Sequence, residues 1–139
     1  MEAKNYELLE HTADTAIRVT AADLEGLFKN AALAMFDIIA EDKNKSAVLE
    51  KIEIKQSSEN LGDLLVGWLN ELLSLSATKE LIFSDFRIDK LTDNLIEAQA
   101  LGSNISNFKI NTEIKAATYH QLKVEKTKSG WLAEIIFDV

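Results

Sequence analysis

The sequence contains no cysteine and no proline, and its five glycines are scattered singly. Without cysteine there is no disulfide, zinc–thiolate site or cysteine nucleophile, which fits a reducing compartment. No N-terminal segment combines the charged and apolar zones of a signal peptide, and charges interrupt every apolar run before the about 20 residues that a membrane span requires. These absences predict a cytoplasmic protein that does not contact a membrane.

Length and charge limit the classes of function. A chain of 139 residues is expected to form one domain, residues 1–139, and to bury roughly two thirds of its unfolded surface. Its formal net charge of −8 argues against broad, non-specific nucleic-acid binding, because such binding neutralises phosphates with Lys and Arg. Solubility is the simplest explanation of the charge. An acidic surface could also meet a basic groove on a protein partner, and RNA chemistry could be served through that partner.

Hydrophobic periodicity predicts two helices. Apolar residues recur at helical spacing over 23–40, with Asp23 as a plausible N-cap. A second apolar stripe follows Ser58 or Asn60, either of which suits the start of a helix. Residues 41–46 are predicted as the solvated exit of the first helix.

Alternating and short apolar runs predict about seven strands. They are residues 5–9, 15–20, 48–55, 81–88, 94–101, 112–126 and 131–137. The last two are expected to form a hairpin, and residues 102–111 a loop. The predicted fold class is α+β: a two-layer sandwich in which two helices cover a mostly antiparallel or mixed sheet of six to seven strands. The aromatic residues expected in its core are Trp68, Phe83, Phe86 and Trp131.

The sequence lacks the familiar arrangements of an active site. It has no Gly-rich phosphate loop, no G-x-S-x-G nucleophile elbow and no H-E-x-x-H zinc motif. Only two histidines are present, His11 in a turn and His120 in a predicted strand, so a three-histidine metal site is excluded. The remaining candidates for chemistry are carboxylates.

Three carboxylates are candidates for a metal site. The last strand ends at Asp138 and the α-carboxylate of Val139, and Asp14 lies in the turn before the second strand. If these strands are neighbours, three negative charges about 5 Å apart repel by roughly 3 kcal/mol per pair at an effective dielectric near 20. The bare cluster then costs on the order of 10 kcal/mol, comparable to the stability of a whole domain. It persists only if it is protonated, paired with Lys or Arg, or bound to a hard cation such as Ca²⁺, Mg²⁺ or Mn²⁺.

Simpler explanations of the same residues stay open. An Asp in a turn usually hydrogen-bonds its own backbone, and a terminal carboxylate usually lies in water. Lys109 and Lys115 are cations that could neutralise a nearby carboxylate in place of a metal ion. Glu71, in the middle of the second helix, is expected to be solvated.

Several motifs occur together and in one order along the chain. They are EHTADTAIRV at 10–19, LFKNAALAMFDII at 27–39, WLNELLSL at 68–75, TEIKAATYHQLKVEK at 112–126 and IIFDV at 135–139. Each motif alone is weak. The set of HTAD, EIKAATYH and an acidic residue one place before the final residue is specific. Over essentially its whole length, the sequence resembles the archease family.

The resemblance implies a fold, a partner and a metal site. By this resemblance, the protein is a small accessory protein with the archease fold and not an enzyme. It would activate an RtcB-type RNA ligase, which joins a 3′-phosphate or 2′,3′-cyclic phosphate end to a 5′-hydroxyl in tRNA splicing and RNA repair, by promoting guanylylation and multiple turnover of the ligase. It would also bind a divalent cation, calcium first, with magnesium or manganese as alternatives. Carried over by motif, the ligands are Asp14, Asp138 and Val139.

Other functions stay open beside this one. A chaperone role that modulates tRNA methylation is also attributed to the family, with tRNA contacted indirectly or a tRNA methyltransferase as partner. A metal-assisted phosphoester hydrolase would use Asp14, Asp138 and His11, but the sequence shows no second carboxylate pair or oxyanion donor. A chaperone that binds tRNA directly would need a basic face, which the acidic balance argues against. We expect a monomer or a weak homo-oligomer.

Overall fold

The chain folds into two helices and a set of antiparallel strands. The computed structural model describes residues 6–9, 15–44 and 47–139. In chain order, the elements within these ranges are β1 (Tyr6–Leu9), β2 (Thr15–Ala21), α1 (Leu24–Ile39), β3 (Ala40–Asp42), β4 (Glu50–Ser57), α2 (Leu61–Lys79), β5 (Leu81–Leu91), β6 (Leu95–Asn104), a 3₁₀ turn (Ile105–Asn107), β7 (Phe108–Ile110), β8 (Ala116–Ala117), β9 (Lys123–Thr127) and β10 (Gly130–Asp138). The predicted α+β class is confirmed.

Both helices begin at a side-chain cap. The Asp23 carboxylate accepts a hydrogen bond of 2.7 Å from the Gly26 N–H at the start of α1. The Asn60 side chain accepts one of 2.9 Å from the Asp63 N–H, so α2 starts after Asn60 and not after Ser58. Such caps satisfy N–H groups that have no partner within the helix. No helix in the described ranges is long and apolar enough to cross a membrane.

The strands form three hydrogen-bonded groups, and every described strand pair is antiparallel. One sheet has the order β1-β2-β10-β8, with β9 also paired to β10; a second has the order β4-β6-β5; and β3 pairs with β7. Both helices contact strands of the two larger sheets, and their buried side chains belong to one hydrophobic cluster. The strands are therefore shared among three groups around a common core, where the sequence predicts one sheet.

An aromatic cluster joins the two helices to β5. Trp68 of α2 is fully buried, and its indole N–H donates a 3.1 Å hydrogen bond to the carbonyl oxygen of Phe28 in α1. The ring of Phe86 lies 5.8 Å from that of Trp68 and 6.3 Å from that of Phe36 of α1. The predicted core positions of Trp68, Phe83 and Phe86 are confirmed, whereas Trp131 is only partly buried.

The long strand predicted over residues 112–126 is wrong. Only the two residues of β8 and the first four of β9 are strand in this range. Between them, Gln121 adopts a left-handed conformation with φ of 51°, and the Leu122 N–H donates a hydrogen bond to the Tyr119 carbonyl. A left-handed residue reverses the chain, so His120, expected in a strand, lies in a turn. The predicted hairpin is confirmed, because β9 pairs with β10 in antiparallel orientation.

Two segments predicted as irregular also form strands. Residues 40–42, which overlap the predicted helix exit, are β3, and residues 108–110 of the predicted loop are β7. The two pair across the Ala40↔Ile110 and Asp42↔Phe108 positions. Ala40 and Phe108 are both buried in the core, so packing holds these short strands in place despite their polar neighbours.

We expect Trp68→Phe to lower the free energy of unfolding by about 2 kcal/mol, because it removes a buried hydrogen-bond donor and leaves part of the indole volume unfilled. Urea titration of both proteins measures this difference. Trp131→Phe is the matched control and should cost less than half as much, since Trp131 is only partly buried. Equal losses in the two variants would show that the Trp68 hydrogen bond and packing have no special weight.

Candidate functional site

The last two residues lie at the end of an interior strand. β10 pairs with β2 on one side, where Phe137 is opposite Thr15, and with β8 on the other, where Phe137 is opposite Ala117 and Asp138 is opposite Ala116. The Lys115 N–H donates a 2.7 Å hydrogen bond to the carbonyl oxygen of Asp138. The backbone of Asp138 is thus fixed by its neighbours right up to the end of the strand.

The composition of β10 explains its interior position. Ala133, Ile135 and Phe137 alternate along the strand and are almost completely buried against the helices. Ile136, on the opposite face, is also only 5% exposed. A strand buried on both faces near its end pairs centrally rather than at a sheet edge. Asp138 is nevertheless exposed, and Val139 is 41% exposed, so the carboxylates emerge at the surface directly from the core.

The predicted ligands fall into two groups in the structure. Asp138 and Val139 are adjacent and in the described part of the chain. Asp14 lies outside the described residues, as do Glu10 and His11 of the same turn. In the parts of the chain that the structure describes, no three His, Asp or Glu side chains come together in a group that could hold a metal ion. The set of Asp14, Asp138 and Val139 therefore stays a prediction.

The alternative that a lysine neutralises Asp138 finds no support between described residues. Lys115 contacts Asp138 through its backbone, and Lys109 lies in β7 opposite Glu41. Among the ion pairs formed within the described ranges, none involves the ammonium group of either lysine. The negative charge of Asp138 is accordingly not paired with a lysine in this part of the molecule.

Arg18, a cation on the same sheet, is paired with two glutamates. Arg18 of β2 lies between its cross-strand partners Glu7 and Glu134, with its guanidinium nitrogens 2.5 Å and 2.8 Å from their carboxylates. The hydrogen bond to Glu134, and then that to Glu7, raises the pKa of Arg18. Glu134 and Asp138 share one face of β10 but lie four residues apart, or about 13 Å at the usual strand rise. Arg18 therefore stabilises strand register and does not neutralise the chain end.

A second acidic region lies at the C-terminal end of α1. Asp37, Glu41 and Asp42 border a groove of about 340 Å³ whose other lining is largely apolar, including Phe36 and Phe108. The Tyr6 hydroxyl donates a hydrogen bond to the Asp37 carboxylate. Burial, followed by the bond to that carboxylate, raises the pKa of Tyr6. This contact ties edge strand β1 to α1.

One residue that sequence reasoning passed over connects α2 to the chain end. The Asn70 side chain accepts a 2.8 Å hydrogen bond from the Ala117 N–H and donates a 3.0 Å one to the Ala117 carbonyl. The sequence feature that could have indicated it is the amide of Asn70 within the largely apolar run WLNELL of a predicted helix, because Asn has a low helix propensity. Its neighbour Glu71 is half-buried and accepts a hydrogen bond from Gln56, so the expectation that Glu71 is simply solvated is wrong.

Comparison with known sequences gives one consistent result. Residues 6–139 match the Archease protein family (MTH1598/TM1083). The chain is 41% identical to protein archease of Methanosarcina barkeri, with 99% of this chain and 98% of the relative aligned. It is 37% identical to protein archease of Pyrococcus abyssi, with 98% of this chain and 99% of the relative aligned.

Two solved structures share the fold. The solution structure of Methanobacterium thermoautotrophicum protein 1598 superposes with a TM-score of 0.77 at 32% identity, covering 99% of this chain and all of the other. The crystal structure of a Thermotoga maritima protein, described as an archease and possible chaperone, gives a TM-score of 0.65 at 25% identity, with 94% of each chain covered. Sequence and structure agree, and the chain belongs to the archease family.

Proposed function

We propose that this protein is a cytoplasmic activator of an RtcB-type RNA ligase and that it carries a divalent cation, calcium first, at Asp14, Asp138 and Val139. The observation that carries the proposal is the pairing of β10 between β2 and β8. This pairing fixes Asp138 at the surface and sets it beside the strand that follows the HTAD motif. Membership of the archease family supports the same assignment, and the family match extends to Val139.

The order of residues along the chain supports Asp14 as the third ligand. Thr15 is the cross-strand partner of Phe137, and partners in antiparallel strands have Cα atoms about 4.5–5.5 Å apart. Asp14 is bonded to Thr15, and consecutive Cα atoms are about 3.8 Å apart. Asp14 precedes Thr15 by one residue in the sequence, so the proposed third ligand directly precedes a residue that pairs with Phe137, the neighbour of Asp138.

Charge explains why a cation would bind there. With three carboxylates about 5 Å apart, repulsion is on the order of 10 kcal/mol at an effective dielectric near 20. Arg18 is held by two glutamates, and no described lysine ammonium group pairs with Asp138. An all-oxygen ligand set suits calcium, magnesium or manganese, and strand-fixed ligands reduce the cost of assembling the site.

The proposed role leaves the chemistry to the ligase. Asp138 lies on an exposed surface rather than in a closed cleft. Within this chain, the backbone bonds to Asp138 fix the point from which its side chain extends, and the acidic surface suits a basic groove on the partner. A bound divalent ion would supply positive charge beside the phosphate groups handled during guanylylation.

One alternative function has a specific observation in its favour. The Thermotoga maritima relative is described as a possible chaperone, which fits a protein that modulates tRNA methylation through a methyltransferase. The discriminating experiment compares the two reactions directly. An activator increases the turnover number of the ligase and leaves methylation of the same tRNA unchanged, whereas the chaperone function gives the opposite pattern.

Asp138→Asn is expected to abolish both cation binding and ligase activation. A cation that binds only the folded wild-type protein stabilises it by about 2.7 kcal/mol when its free concentration is a hundred times Kd. The variant should lose most of this gain, because it removes one full ligand charge. Thermal unfolding with and without calcium measures the gain, and multiple-turnover RNA joining measures the activation.

Asp93→Asn is the matched control, since it makes the same charge change at an exposed turn between β5 and β6. It should behave as wild type in both assays. The proposal fails if Asp138→Asn retains the calcium-dependent stabilisation and activates the ligase as well as Asp93→Asn does.

The α-carboxylate of Val139 gives a second prediction, which concerns the chain end and not the side chain. A short C-terminal extension converts this carboxylate to a neutral amide and should weaken cation binding and ligase activation, because affinity for a hard cation falls with ligand charge. The same extension at the N-terminus should change neither property, and Val139→Leu should be tolerated because it keeps the carboxylate. Calcium titration and ligase turnover are measured on all three proteins. Equal values for the two extended forms would remove Val139 from the ligand set.

A further inference from the structure

We propose that Asn70 of α2 is a positioning residue for the chain end, an inference that rests on the proposed function. Its carboxamide makes two hydrogen bonds to one backbone unit, accepting from the Ala117 N–H at 2.8 Å and donating to the Ala117 carbonyl at 3.0 Å. Both bonds are partly buried. The side chain thus takes the place that a neighbouring strand would otherwise occupy beside β8.

β8 needs such a partner because it is only two residues long. Its other edge faces β10, where the Thr118 N–H and hydroxyl both donate to the Ile136 carbonyl, at 3.0 Å and 2.9 Å. One residue before β8, the Lys115 N–H donates to the Asp138 carbonyl at 2.7 Å. Asn70 therefore hydrogen-bonds this segment on the edge that faces away from β10.

The chemistry of the side chain fits this position. An Asn carboxamide offers an acceptor and a donor side by side, which matches the N–H and carbonyl of one residue in extended backbone. A carboxylate at the same place would keep the acceptor but lose the donor, and an aliphatic side chain would lose both. Asn70 lies next to Leu69 and Trp68, which are completely buried, so the α2 backbone that carries it is firmly anchored in the core.

The consequence is a physical link between α2 and the proposed cation site. Asn70 orients β8, β8 orients the backbone of Asp138, and the orientation of Asp138 determines where its carboxylate is presented. Asn70 touches neither the ion nor the other ligands in this account. It acts through Ala117 and the two hydrogen bonds on either side of it.

Asn70→Ala tests the inference through two measurements. Hydrogen exchange without added cation should show faster exchange of the Lys115 and Thr118 amides, by about tenfold, the factor expected when a partly buried hydrogen bond is lost. Calcium titration should show a weaker affinity, by about tenfold, at the low end of the range for residues that support metal ligands indirectly.

Asn30→Ala is the matched control. Asn30 lies on α1, and its side chain donates a 3.0 Å hydrogen bond to the carbonyl of Thr20, at the end of β2 far from Thr15. This variant should leave both the exchange of Lys115 and Thr118 and the calcium affinity unchanged. A general loss of stability would affect both variants, so the comparison isolates positioning.

Each outcome decides one of the two claims. Unchanged exchange of the Lys115 and Thr118 amides in Asn70→Ala overturns the inference, whatever the cation does. Faster exchange with undiminished calcium affinity also overturns it. A wild-type protein without calcium affinity overturns the proposed metal site instead, while the exchange data still decide whether Asn70 holds the segment that bonds Asp138.

Discussion

Pairing of the last strand on both edges is the interaction on which the rest of the structure depends. β10 joins β2, β8 and β9 into one sheet, and its buried residues pack against the helices that also cover the second sheet. Strands distant in sequence, β2 on one side and β8 and β9 on the other, are joined by their pairing with it. Such long-range pairing makes residues up to Phe137 part of the core and fixes the backbone of Asp138, which follows it.

This arrangement creates an electrostatic constraint as well as a position. Asp138 places a negative charge at the exposed end of a core strand, where its backbone is hydrogen-bonded to Lys115. Elsewhere in this sheet, Glu7 and Glu134 are paired with Arg18. Between described residues, Asp138 forms no comparable ion pair, and we propose a bound cation as the partner of its charge. The proposed function follows from this difference between the two positions.

Much of the fold could be predicted from local patterns. Helical spacing and N-caps gave α1 and α2 closely, because amphipathic stripes and capping side chains are local signals. The sequence could not predict which strands pair with one another, because the pattern of a strand does not specify its neighbour. The 112–126 segment shows a second limit: its alternation looks continuous, yet one left-handed residue, Gln121, turns the chain.

The candidate site also has residues that could be predicted from the sequence and one that could not. Asp138 and Val139 stand out from the sequence because they directly follow an apolar run, and the ligand set that includes them stays a prediction. The role of Asn70 could not be deduced, because its partner Ala117 is 47 residues away and offers only backbone atoms. A hydrogen bond from a side chain to distant backbone can hardly be recognised in a single sequence, whereas a carboxylate at the end of a predicted strand can.

The central claim is that a divalent cation binds at the chain end and not at the other acidic region of the surface. Manganese is paramagnetic and broadens the NMR signals of nearby amides, so substoichiometric Mn²⁺ reports the location of the site directly. The account predicts selective broadening of the amides of Thr15, Ala116 and Asp138. Broadening centred on Asp37, Glu41 and Asp42, or no selective broadening at all, would contradict it.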